Sequence, residues 1–129
     1  KEGYKMTENQ DTYIRMFELL QKERSTPELL KLTDDIITSA YEEIRSGSIQ
    51  KPIVLDNMKR MLKEFRDRRE KKVLMMAWDY SKTKSNLIDL SSMLSHEKDL
   101  YNRIVKSLEY YRSESKEASH EPILLQTPA

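Results

Sequence analysis

The sequence contains no cysteine, only two glycines (Gly3 and Gly47) and four prolines. Without cysteine there can be no disulfide, thiolate zinc site, iron–sulfur ligation or cysteine nucleophile. The glycine-rich loops of dinucleotide, P-loop and kinase folds need clustered glycines so that bare backbone can approach a phosphate, and two isolated glycines cannot build one. Sandwiches and barrels need frequent Gly/Pro turns, which are also missing. No apolar run approaches the ~20 residues of a membrane span. The start, Lys1-Glu2-Gly3-Tyr4-Lys5, lacks the apolar heart of a signal peptide. Residues 1–5 read as an expression remnant, with Met6 as the natural start. These features fit an intracellular protein.

What is present is charge. Of 129 residues, 35% are charged and 37% apolar, against a usual ~25% and ~45–50%. A chain of this length can still bury roughly two-thirds of its unfolded surface, so the charge must lie on helix faces. The net charge of +1 hides a pattern. Residues 1–58 hold 8 basic and 11 acidic groups, residues 59–72 hold 8 and 3, and residues 73–129 hold 7 and 8. A basic island, net +5, thus sits between acidic flanks.

Hydrophobic spacing predicts an all-α helical bundle of four to five helices. Residues 8–24 place Tyr13, Ile14, Phe17, Leu20 and Met16 at helical intervals. Thr26-Pro27-Glu28 reads as a cap, a first-turn proline and a dipole partner, starting a short apolar turn at Leu29, Leu30 and Leu32. Ile36, Ile37, Ala40, Tyr41 and Ile44 form the next stripe, closed by Gly47. Pro52 breaks the connector and Asp56 caps one long central helix, 56–80. Its stripe of Met58, Leu62, Phe65, Val73, Met76 and Ala77 is interrupted by the charged run 66–72. That interruption predicts a helix packed at both ends and partly exposed, or against a partner, between them. A short helix is expected over 87–94. A last helix, 96–112, is capped by Ser95 and has a face of Leu100, Ile104, Leu108 and Tyr111, with Tyr101 and Val105 beside it. Residues 6–112 then form one helical domain and 113–129 a linker.

Chemical constellations are sparse. Glu117 and His120 match one Glu-x-x-His pair, but a carboxylate metal site in a bundle needs two such pairs and two more glutamates. His96-Glu97 does not extend to His-Glu-x-x-His, because position 100 is leucine. Ser95 and His96 are adjacent on a helix and do not face each other, so a capping serine is expected. The pairs Asp34-Asp35 and Glu42-Glu43 diverge by about 100° on a helix and cannot share a proton. No catalytic residue, metal or cofactor is therefore expected. The basic patch Arg60, Lys63, Arg66, Arg68, Arg69, Lys71 and Lys72 has two readings. One is a solvated helix laced by Glu64–Arg68 and Asp67–Lys71 pairs. The other is contact with phosphates or an acidic partner, as in a helical nucleic-acid-binding domain. Near the end of the long helix, Val73 to Trp78 is apolar all round, which hints at a subunit interface.

Four stretches resemble the GINS family of replisome assembly factors. They are Glu23-Arg-Ser-Thr-Pro-Glu-Leu-Leu30, the long-helix run Met61 to Leu74, Leu94-Ser-His-Glu97 and Leu100-Tyr-Asn-Arg-Ile-Val105. The resemblance spans residues 10–112 and is to subunits, expected to be archaeal, whose helical domain precedes a β domain. It implies a non-catalytic scaffold that assembles with other GINS subunits into a tetramer. Its further partners would be the MCM helicase and a RecJ-like protein, with any DNA contact indirect. The compartment would be the archaeal cytoplasm and nucleoid or the eukaryotic nucleus. The β domain that follows the linker in the family would be missing or truncated. The expected interface combines Phe65, Leu74, Met75 and Trp78 with Tyr101 and Ile104.

Overall fold

The computed structural model describes residues 8–32, 35–84 and 89–118, with the backbone alone described at 8, 9 and 115–118. All the regular secondary structure among these is helical: α1 Glu8–Ser25, α2 Ile36–Ser46, α3 Pro52–Thr83 and α4 Ser95–Ala118. The fold is all-α with one long central helix. The chain forms two compact units, residues 1–72 and 73–129. The boundary lies within α3.

The first unit is built on a core of Met16, Leu20, Ala40, Ile49, Met58, Met61, Leu62 and Phe65. In α1 the buried positions are Thr12, Met16, Leu20 and Glu23, spaced by four, four and three. The expected stripe is thereby rotated. Ile14 and Phe17 lie on the opposite side and are exposed, because at 100° per residue Ile14 falls about 160° from Met16. Two of the four buried positions are polar, and that is why apolar spacing alone misplaced the face. Thr12 is accommodated by donating its hydroxyl to Glu43 of α2, at 2.6 Å. In α2, Ile36 and Ala40 are buried, with Ile37, Tyr41 and Ile44 packed partly buried against the core, as the spacing predicts. Gly47 ends α2 with φ 78, the left-handed conformation that glycine adopts without steric cost. Thr33 and Asp34, read as a start signal, lie outside the described residues. Asp35 stands before α2 with no side-chain cap hydrogen bond.

Residues 26–32 are not helical, contrary to the expected restart at Thr26. Their backbone groups are taken by side chains instead. Glu23 Oε2 accepts from the Leu30 amide at 3.2 Å. Arg69 Nη1 donates to the Leu30 carbonyl at 2.6 Å. Lys72 Nζ donates to the carbonyls of Glu28 (2.9 Å) and Glu23 (2.8 Å). The segment is strapped onto α3 by a charged cluster.

α3 begins at Pro52, four residues before the expected Asp56 cap, which lies inside the helix. Proline suits a first helical position, because its missing N–H is one that the helix end leaves unpaired anyway. At 1.5 Å per residue its 32 residues span about 48 Å. In the second unit Val73, Ala77, Met93, Tyr101 and Val105 are buried. Asp89–Leu94 is not helical, so the expected 87–94 helix is absent from its described part, and residues 87 and 88 lie outside the described residues. Met93 instead closes a turn onto the Leu90 carbonyl at 3.1 Å. Ser95 is the first helical residue of α4 and not its cap. Glu97 reaches back to the Leu94 amide at 2.9 Å, the returning half of a capping box. The α4 face is centred on Glu97, Tyr101 and Val105, with Leu100, Ile104 and Leu108 half-buried at its edge and Tyr111 exposed. α4 runs on to Ala118, six residues beyond its expected end.

Candidate functional site

The long helix α3 carries both groups of residues singled out by the sequence. Through the charged run 66–72 its buried face does not stop. Phe65, Arg69 and Val73 are all buried, at spacings of four. Arg69 takes the core position, its guanidinium carbon 5.7 Å from the Phe65 ring centre. The side chains of Glu23 and Arg69 are 0% and 1% exposed and that of Lys72 is 16% exposed. Arg69 Nη1 lies 3.0 Å from Glu23 Oε1, and Lys72 Nζ lies 2.5 Å from Glu23 Oε2. One carboxylate thus answers two cations. A charge out of water needs such pairing.

The basic patch is accordingly not one surface. Arg69 and Lys72 face inward and hold the 26–32 segment, so their charges are engaged within the chain. Arg60, Lys63, Arg66, Arg68 and Lys71 are exposed. Among them Arg68 is paired with Glu64 at 2.7 Å and Lys63 with Asp67 at 2.9 Å, while Arg60 donates to Asn57 at 3.2 Å. Asp67 therefore pairs backward with Lys63, where Lys71 was expected. Arg24 of α1 joins Glu64 through two hydrogen bonds of 2.6 and 2.7 Å.

Arg24 first, then Arg68, holds the Glu64 carboxyl down to about 2 against an ordinary 4.5. The same pair raises Arg24. The folded protein therefore takes up a proton at Glu64 less readily than the unfolded chain. This stabilisation is fully present above pH 4.5 and is lost as pH falls through about 2. In an NMR titration the Glu64 side-chain carboxyl should titrate near 2, and Arg24→Gln should move its midpoint up toward 4.5. An unmoved midpoint would show that Arg24 is not the partner that sets it.

In the second unit, Leu74, Met75 and Trp78 are 37%, 50% and 43% exposed. They share the side of α3 that faces away from buried Val73 and Ala77. Lys82, one turn after Trp78, places its ammonium 4.8 Å from the indole ring centre. Trp78 is thus partly exposed with a cation over its ring, and tryptophan is over-represented at binding hot spots. Comparison with protein-family models, curated proteins and solved structures yields no match. The site is therefore read from its own geometry.

The other expected interface residues lie elsewhere. Phe65 is inside the core of the first unit. Tyr101 is buried, its ring 6.3 Å from that of Tyr80, and Ile104 is half-buried. Burial, with Tyr80 as a second cause, pushes the Tyr101 hydroxyl up from its ordinary value. Ser81, which the sequence reading did not mark, links α3 to α4: it accepts from Arg112 at 2.5 Å and donates to the Trp78 carbonyl at 2.7 Å. This fixes the backbone carrying the indole. Among the described residues no cluster of three or more histidines and carboxylates could hold a metal, and no helix is long and apolar enough to cross a membrane. His120 lies outside the described residues.

Proposed function

We propose that this chain is a non-catalytic assembly module of a GINS-type replication complex, docking protein partners through α3. The observation that carries the reading is the exposed apolar row Leu74, Met75 and Trp78 on a helix whose opposite side is buried. Tryptophan and methionine are both enriched at protein interfaces, and the indole presents its area at low entropic cost. The GINS part of the reading rests on the sequence resemblance alone. Two of the resembling stretches, Glu23 to Leu30 and Met61 to Leu74, meet through Glu23, Arg69 and Lys72.

The nucleic-acid alternative has less support. Two of its seven cations are buried or nearly so, and two more are paired with carboxylates. Stacking aromatics beside the remaining ones would be needed to hold single strands.

The purified chain, mixed with the MCM helicase and RecJ-like protein of the same organism, should co-elute with them on size exclusion. Trp78→Ala and Leu74→Asp should each abolish co-elution while leaving the circular dichroism unchanged. Co-elution that survives both substitutions, or that never occurs, would count against the reading.

A further inference from the structure

The lack of cysteine bears on how this chain meets an oxidant. Peroxides oxidise thiolates and thioethers. With no cysteine in the chain, its seven methionines supply all the sulfur that can react. The fold sorts them. Met16, Met58, Met61 and Met93 are buried, and Met76 is half-buried. Met75 is 50% exposed, and Met6 lies outside the described residues. Met75 and Met76 differ because successive helical residues point about 100° apart. Met76 turns toward the side of buried Val73, and Met75 shares its side with Trp78.

Oxidation of a buried methionine would damage the core, but oxidation of Met75 changes a surface. It stands three residues before Trp78, so the two side chains are neighbours along α3. A thioether is apolar and adapts its shape to what it touches. Its sulfoxide is polar and chiral, and it adds an acceptor oxygen. A partner that covers the apolar row would have to strip water from that oxygen, which costs free energy unless a donor replaces the water. The helix itself is spared, because its core side is held by Val73 and Ala77.

We propose that Met75 is a reversible oxidation site whose sulfoxide turns off docking through the Leu74/Met75/Trp78 face. The oxidant is a peroxide. A lone pair of the Met75 sulfur forms the S–O bond as the O–O bond breaks. Hydroxide leaves and takes up a proton to become water, so sulfur is oxidised by two electrons and the peroxide is reduced by two. Return needs the methionine sulfoxide reductases, one for each sulfoxide epimer. There two thiols close to a disulfide and the oxygen departs as water. A docked partner shields Met75, so the switch acts on the free chain. This inference rests on the docking reading above and adds its control.

Hydrogen peroxide acting on the full chain, followed by peptide mapping, is the first arm of the test. Cleavage after Lys72 and Lys82 releases residues 73–82, and fragmentation of that peptide tells Met75 from Met76. Sulfoxide should form at Met75 about ten times faster than at Met16, Met58, Met61, Met76 or Met93, with unchanged circular dichroism. In the second arm the oxidised chain is mixed with the MCM helicase and RecJ-like protein of the same organism. Its affinity should fall about tenfold, the loss of a modest hot spot. Treatment with both sulfoxide reductases should restore it. Met6→Leu should respond to peroxide in the same way, which removes Met6 as the cause. Equal oxidation of the buried methionines, loss of helix on oxidation, failure of the reductases to restore binding, or a peroxide-resistant Met6→Leu would each overturn the proposal. Co-elution that survives complete conversion of Met75 to its sulfoxide would sink this inference and leave the proposed function standing. A parent chain that never co-elutes would sink the proposed function and this inference with it, whatever the oxidation map shows.

Discussion

Arg69→Met should destabilise the protein by about 3 kcal/mol, the lower end of the cost of removing one partner from a buried ion pair. The substitution keeps most of the side-chain volume and removes the charge. Glu23, whose side chain is fully buried, then keeps Lys72 on one oxygen and loses the Arg69 hydrogen bond on the other. The Leu30 carbonyl loses its 2.6 Å donor as well. A small domain is stable by only about 5–15 kcal/mol, so the urea midpoint followed by circular dichroism should fall visibly. The double variant Glu23→Met with Arg69→Met should be less destabilised than Arg69→Met alone, because the buried carboxylate is gone along with its partner. A single variant within about 1 kcal/mol of the parent would show that the cluster is wetter than its burial indicates.

Phe65→Ala should cost about 3–5 kcal/mol, the range for emptying a buried aromatic site. Phe65 is 1% exposed and belongs to the core formed by α1, α2 and α3. Its ring also supports the Arg69 guanidinium, so the two losses are coupled and should not add in a double variant. The natural comparison is Phe17→Ala, which removes an equal side chain from an exposed position and should change the stability of the isolated chain by no more than about 0.5 kcal/mol. Chemical denaturation at low protein concentration separates the two. Equal costs would mean that Phe65 does not have the core role its burial gives it.

Much of the architecture was legible in spacing and in turn chemistry. α1 and α2 follow from apolar intervals and from Gly47, and the presence of one long central helix follows from the run 56–80 without glycine or proline, although α3 begins four residues earlier, at Pro52, and ends three later, at Thr83. The misplaced buried faces of α1 and α3 share one physical origin. Sequence periodicity assigns buried faces from apolar residues, and here Thr12, Glu23 and Arg69 take core positions. Once Thr12 and Glu23 are counted inside, α1 turns and Ile14 and Phe17 come outside. Once Arg69 is counted, the gap in the α3 stripe closes. The available signal was the Phe65–Arg69–Val73 interval, a cation at a core repeat that calls for a buried acid. Its partner was not predictable by spacing, since Glu23 is 46 residues away. The exposed part of the candidate interface was visible as the all-round apolar run at 73–78. Which of its members turn outward depended on where α4 packs.

The continuity of α3 across the boundary at residues 72 and 73 bears on how the protein melts. A helix divides only by giving up hydrogen bonds, since each new end leaves four amides or four carbonyls without partners in the ladder. Unfolding one unit by itself would create such an end inside the other unit's helix, beside Lys72 on one side or Val73 on the other. The shared helix therefore penalises half-folded states, and it ties the strength of the Glu23 cluster in one unit to the persistence of the Trp78 surface in the next. Cooperativity here would be a property of one backbone segment belonging to two cores at once.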